Sequence, residues 1–374
     1  MRRFYSAFIK SVAASCRGVL PPRHKAAKSL VLCWALFLAG CESVGYYSQA
    51  MRGHLGLMRQ RQPIATLLGD AQLDPQLRER LQRLETLRDF AARELSLPVE
   101  HHYQDLVMLD SPYVVWNVFA SPEFSLTPKQ WCYPVAGCAS YRGYFEEAAA
   151  NRYADTLRRQ GYDVYVGGVS AYSTLGWFAD PLPATLLQRE PWQLASLLFH
   201  ELAHQVAYAP GDTEFNESFA TAVEQEGLRR WMGQLEGSER TTLLLASAQE
   251  RARRDDFVNL VQGVVSALHE LYASELPPEA MRERKQQLIE QLRADYQDLK
   301  RAWEGRAGYD TWFSQDLNNA QLGTVATYHG LVPAFEELLK RHGGNLPAFY
   351  EEVVALSKLP AATRQQRLQA LLPP

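Results

Sequence analysis

Phe199-His200-Glu201-Leu202-Ala203-His204-Gln205, followed by Pro210-Gly211-Asp212-Thr213-Glu214-Phe215-Asn216-Glu217, is the stretch on which the reading of this chain turns. Four-residue spacing puts His200 and His204 on one face of a helix, one turn apart. Two imidazoles so placed can converge on one metal ion, with Glu201 beside it as a general base. Leu194, Leu197, Leu198 and Ala203 surround the pair, so the helix reads as buried over much of its surface. The bland alternative is a pair of surface histidines. It would leave two titratable rings inside an apolar helix without a partner.

Pro210-Gly211 ends that helix, and Asp212 is placed to cap a second one from Thr213 onward. In an antiparallel pair, residues equally far from the turn lie level. Glu217 lies as far beyond the Pro-Gly break as His204 lies before it, so its carboxylate is expected to meet both histidines. Two histidines and a glutamate, with a fourth position left for water, make a catalytic zinc arrangement. The expected cofactor is one zinc ion per chain, with His200, His204 and Glu217 as ligands. Glu214 and Glu224 share the helical face of Glu217, and either could orient a ligand or simply stand in solvent. The expected chemistry is amide hydrolysis, with zinc polarising the carbonyl and acidifying water. Glu201 takes the water proton and passes it to the leaving amine. Tyr144, Tyr172, Tyr328 and His329 are candidate donors to the oxyanion, and each also reads as a packing residue.

Working outward, Asp74-Pro75 opens a helix whose Leu77, Leu81, Leu84, Leu87 and Ala91 follow three- and four-residue spacing. It stops before Pro98. Residues 41–62 read as a polar, Gly-containing lead-in. Between 103 and 183 the chain carries β-branched and aromatic runs, Val107-Met108, Tyr113–Phe119 and Tyr162–Val166, which read as strands. A helix over 145–160 sits among them and ends at Gly161. Ala171–Phe178 is a candidate cleft-edge strand that could pair with a peptide backbone. Beyond Leu182 the expected helices are 184–208, 213–232, 238–275, 278–304, 314–328, 331–342, 346–357 and 360–371. The fold class expected is α+β, predominantly α-helical, with a small strand region at about 103–183 and a helical region at about 184–374.

The first 40 residues differ from the rest. They hold seven basic residues and no acidic one, then a short apolar run, Leu30 to Gly40, ending in Leu38-Ala39-Gly40-Cys41. This has the layout of a secretory signal, and its apolar run is shorter than the roughly 20 residues a spanning helix needs. Leu38-Ala39-Gly40-Cys41 resembles the bacterial lipobox. That resemblance implies a signal peptide over 1–40, a mature domain over 41–374, and lipidation of Cys41. The expected location is the periplasmic face of the envelope. Glu42 is not the Asp that usually signals inner-membrane retention, so the outer membrane is favoured. In an oxidising compartment Cys132 and Cys138 read first as a disulfide. A cysteine zinc site is the alternative, and it lacks a second nearby pair.

The composition of the 374 residues, 47% hydrophobic and 22% charged, suits a folded domain with a sizeable core. A formal charge of -3 argues against a general nucleic-acid partner.

Taken together, the His-Glu-Leu-Ala-His stretch and Gly211–Thr221 resemble the bacterial predicted-aminopeptidase family of zincin-type metallopeptidases. Trp131-Cys132-Tyr133-Pro134, Tyr141-Arg142-Gly143-Tyr144-Phe145 and Ala171–Phe178 carry the same resemblance. It implies a zincin-like fold, a peptide substrate, His200, His204 and Glu217 as ligands, and Glu201 as base. Two other readings stay open: an endopeptidase acting on envelope proteins, and a zinc-stabilised envelope scaffold without turnover.

Overall fold

The computed structural model describes residues 45–100, 102–133, 137–170, 180–306, 308–326 and 330–372. Cys41, Tyr172, Tyr328, His329 and the segment Ala171–Phe178 lie outside the described residues. The chain divides into two units, Met1–Arg52 and Gly53–Pro374. Of the first, residues 45–52 are described, and they are helical.

In the second unit residues 53–60 form α1, where the sequence reads only as a polar lead-in. Within the second unit its Leu57 packs with Val107, Val114 and Val115 in a small apolar cluster, which explains the helix better than its polar majority does. After β1 (Gln62–Pro63) and α2 (Ile64–Gly69) comes α3 (Pro75–Leu95). The Asp74 side chain caps α3 by accepting from the Leu77 N–H at 2.9 Å, and Pro75 fills the first turn.

The strand region follows. β3 (Val115–Pro122) is the centre of an antiparallel sheet, flanked by β6 (Arg142–Tyr144) and β7 (Tyr162–Val169). α4 (Glu147–Arg159) packs on this sheet and ends at Gly161, whose φ of +84° is a conformation that favours glycine. A second sheet joins β1, β2 (Asp105–Val107) and β8 (Leu182–Pro183), with β2 and β8 parallel. β4 (Trp131–Tyr133) and β5 (Gly137–Ala139) form a hairpin in which Cys132 stands opposite Cys138, their sulfurs 2.04 Å apart in a disulfide.

The helix expected over 184–208 is broken. A 3-10 turn occupies Ala184–Gln188, and α5 (Pro191–Ala203) starts afresh, because Pro191 brings no N–H and suits a first helical position. Glu190 and Gln193 close a reciprocal capping box there. α6 (Thr213–Gly233) is capped by Asp212, which accepts from the Phe215 N–H at 3.0 Å. α7 (Gly237–Tyr272) and α8 (Pro278–Ala302) form a long hairpin. The helix expected over 314–328 is instead α9 (Asp310–Phe313) and α10 (Asn319–Ala326), because the Asn318 side chain accepts from the N–H groups of Ala320 and Gln321 and starts α10 anew. α11 (Val332–Arg341), α12 (Leu346–Ser357) and α13 (Ala361–Gln369) complete the chain. The fold is therefore α+β and mainly helical. Among the described residues no helix is long and apolar enough to cross a membrane.

Two larger apolar cores stand beside the Leu57 cluster among the described residues. The larger joins α3, α5, α6, α11 and α12 around Phe199, Phe215, Phe219, Phe335 and Phe349, all fully buried. The smaller lies between the α7–α8 hairpin and α10, around Val261, Leu268, Leu292, Tyr296 and Leu322. A polar clasp holds that hairpin to the β3–β7 sheet: buried Lys285 donates to Asp163 at 2.6 Å and to the Glu123 carbonyl at 2.9 Å.

Candidate metal centre

α5 and α6 run antiparallel, as their contacts show: Ser196 reaches Glu224, whereas His204, at the C-terminal cap of α5, reaches back to Glu217. Their close approach depends on Gly227. A Cβ there would lie 2.7 Å from a ring carbon of Phe199 and 2.8 Å from a methyl of Leu95. The linker between them is tied by Asn216. Its side chain accepts from the Ala209 N–H at 2.7 Å and donates to the Ala209 carbonyl at 3.0 Å, in full burial. Arg364 adds a two-armed bond to Asp212, at 2.9 and 2.6 Å.

This frame brings His200, His204 and Glu217 together. One ligand atom from each lies within 4.8 Å of the others. Nε2 of His200 is 3.3 Å from Glu217 Oε2, and Nε2 of His204 is 3.7 Å from Glu217 Oε1. On its other edge His200 meets Glu224, with Nδ1 3.1 Å from Oε2. Glu224 is itself held by the Ser196 hydroxyl and by Arg254, 3.9 Å away on α7. A histidine whose second nitrogen is fixed by a carboxylate is oriented for metal binding through the first.

The electrostatics are those of a site that holds positive charge. Burial alone lowers the pKa of His200, but hydrogen bonds to Glu217 and Glu224 outweigh it and hold it well above the ordinary histidine range. A proton there balances two carboxylates, as a bound cation would. His204 goes the other way, to about 4, because burial and the charge on His200 outweigh the pull of Glu217. A neutral imidazole is the form that binds metals. Burial also pushes the Glu201 carboxyl up to about 7, with Glu217, Asp180 and Glu224 adding to the effect and His200 opposing it. That is close to the neutral range in which a general base works best.

The donors and charges gathered here could hold a metal ion, and comparison with known families adds a relationship. A family model described as "Putative aminopeptidase" matches residues 45–368. The chain belongs to that family. No curated protein and no solved structure matches the chain. For a member of this aminopeptidase family, a peptide is the substrate class to expect.

Of the other residues singled out from sequence, Tyr144 is on β6, 6% exposed, its ring 5.7 Å from that of Tyr153 and facing the Arg142 guanidinium. It occupies a packing place. Sequence reasoning did not find Ser196, Asn216, Arg254, Arg364, Tyr103 or Asp180. An asparagine inside a helix was one available signal, since its side chain competes for backbone groups. Tyr103 has a left-handed φ of +57° and donates its N–H to the Asp180 carbonyl at 2.8 Å. Its phenol is pushed well above the ordinary range by burial and by the charges of Glu201 and Asp180, which places it on the Glu201 side of the centre.

Proposed function

We propose that this chain is a zinc-dependent aminopeptidase. The observation that carries the reading is the convergence of His200, His204 and Glu217 beside a carboxylate, Glu201, that makes no hydrogen bond or ion pair among the described residues. Two imidazoles and one carboxylate oxygen suit zinc, which takes nitrogen and oxygen ligands in sets of three at catalytic sites. Zinc bound there would supply Lewis acidity toward a carbonyl and toward water.

The remaining work falls to the chain itself. Glu224 holds His200 by its Nδ1, so that Nε2 faces the centre. Glu201 accepts a proton from the attacking water as its oxygen bonds to the scissile carbon. It returns that proton to the amine nitrogen as the C–N bond breaks. A purely structural metal site needs ligands but no such base, so the uncommitted Glu201 favours an enzyme over a scaffold. The leader adds a location to this reading: a periplasmic, envelope-bound protein anchored by lipid on Cys41, with the outer membrane favoured by Glu42.

Two variants separate the roles. Glu217→Ala should lose bound zinc. Glu201→Gln should retain it and lose about 10²–10⁴-fold in peptide turnover. Metal analysis of both proteins beside a peptide-hydrolysis assay gives the answer. Stoichiometric zinc in the Glu217→Ala protein, or parental turnover in Glu201→Gln, would overturn the assignment.

A further inference from the structure

An aminopeptidase must recognise the free α-ammonium group of its substrate, and a carboxylate near the metal is the group that does so. The carboxylates on and capping the two metal helices can be taken in turn. Glu190 is spent on the capping box of α5, and Asp212 on the N–H of Phe215 and the guanidinium of Arg364. Glu224 is bound to His200 and Ser196, and Glu226 to Arg229 and Arg230. Glu217 faces both histidines, and Glu201 is the base. Glu214 is left. It makes no hydrogen bond and no ion pair among the described residues, although it is half-buried.

Glu214 lies one turn before Glu217 on the same face of α6, which separates their Cβ atoms by about 5–6 Å. The α-nitrogen of a peptide is about 2.5 Å from the first carbonyl carbon, so an anchor one helical turn from a metal ligand has the right reach. The Glu214 carboxylate stands against Gly330, where any Cβ would collide with its Oε1. The Gly330-Leu331 segment is in turn fixed to α6, since the Leu331 N–H donates to the Ser218 hydroxyl at 3.3 Å. No cation among the described residues pairs with that carboxylate.

We propose that Glu214 anchors the substrate's α-ammonium group and so restricts cleavage to the first peptide bond. The proposal rests on the peptidase reading above and adds the feature that makes the enzyme an exopeptidase. A charged hydrogen bond of this kind is worth about 10–100-fold in binding.

The test uses the zinc-loaded full chain, one short peptide with a free N-terminus, and the same peptide acetylated. The wild type should cleave the free peptide and leave the acetylated one. In Glu214→Gln, KM for the free peptide should rise about 10–100-fold with kcat within a few-fold, bound zinc unchanged, and Glu214→Asp should restore part of the loss. A second arm needs no turnover. Calorimetry on Glu201→Gln should show a preference for the free amine, and the Glu201→Gln, Glu214→Gln double variant should lose it. Unchanged discrimination in Glu214→Gln, or loss of zinc from it, overturns the anchor while leaving the peptidase standing. Equal binding of both peptides to Glu201→Gln overturns it too. If the wild type cleaves neither peptide while Glu201→Gln still prefers the free amine, the hydrolytic reading falls and the amine site stands.

Discussion

Asn216 is the residue whose loss should say most about how the centre is assembled. Its amide makes two hydrogen bonds to one residue, Ala209, which is fully buried in the linker between α5 and α6. Asn216→Ala would leave the Ala209 N–H without a partner away from water, while the Ala209 carbonyl would keep only its bond from the Asp212 N–H at 3.1 Å. The orphaned N–H costs about 1–3 kcal/mol, and the bond lost from the carbonyl about 0.5–1.5 kcal/mol. Alanine returns roughly 0.7 kcal/mol through its better helix propensity. The net loss should be about 1–4 kcal/mol, a large share of a typical domain's stability. Asn216→Asp sharpens the test. Its remaining oxygen can still accept from the Ala209 N–H, but it cannot donate to the carbonyl and it adds a charge in a buried place. It should therefore be at least as destabilising as alanine, despite its near-identical shape. Urea unfolding of the metal-free proteins measures this as a shift in midpoint at constant slope. Zinc competition with a chromophoric chelator measures the second effect, a weakening of about 10–100-fold as the linker loosens and His204 and Glu217 lose their register. A change below about 0.5 kcal/mol in Asn216→Ala, or wild-type stability in Asn216→Asp, would refute the clamp.

Three further outcomes follow from the same geometry. Glu224→Ala should weaken zinc binding by about 10–100-fold while the protein stays folded, because it frees His200 to turn; unchanged affinity in a chelator titration would remove Glu224 from the centre. Gly227→Ala should lower stability by about 1–2 kcal/mol, since the overpacking against Phe199 and Leu95 exceeds the roughly 1 kcal/mol gained in helix propensity; a raised melting temperature would show that the two side chains simply move aside. Lys285→Met should cost about 3–5 kcal/mol by leaving Asp163 without its cation, and a double variant with Asp163→Leu should recover much of it; an unchanged unfolding midpoint in the single variant would count against the clasp.

The convergence of His200, His204 and Glu217 was legible because both parts of its pattern are local. A four-residue spacing and a Pro-Gly break each act within a helix or a turn, and levelness across the turn led to Glu217. Local spacing was silent on the residues that hold those side chains in place. Glu214 and Glu224 occupy the same face of α6, and what separates them is the opposite element at each level: Ser196 and His200 for one, Gly330 for the other. Arg254 and Arg364 arrive from α7 and α13, and nothing near them in the chain announces their partners. The same holds for the fold. α3 carried its own cap and stripe, but α1 is polar over most of its length and is fixed by where Leu57 packs. Strands of two or three residues, such as β1, β2 and β8, are too short to show a period.

Arg254 belongs to the hairpin with the second apolar core, yet it reaches the carboxylate that steadies His200. The hairpin is therefore a lever on the centre rather than a bystander. Whenever α7 lifts, Glu224 loses a neighbouring cation and His200 loses part of its tether. Thermodynamic reciprocity makes the coupling run both ways, so an ion that tightens His200 also holds α7 down. Amide protons of α7 near Arg254 should then exchange more slowly in the metal-loaded protein than in the metal-free one, many residues away from any ligand.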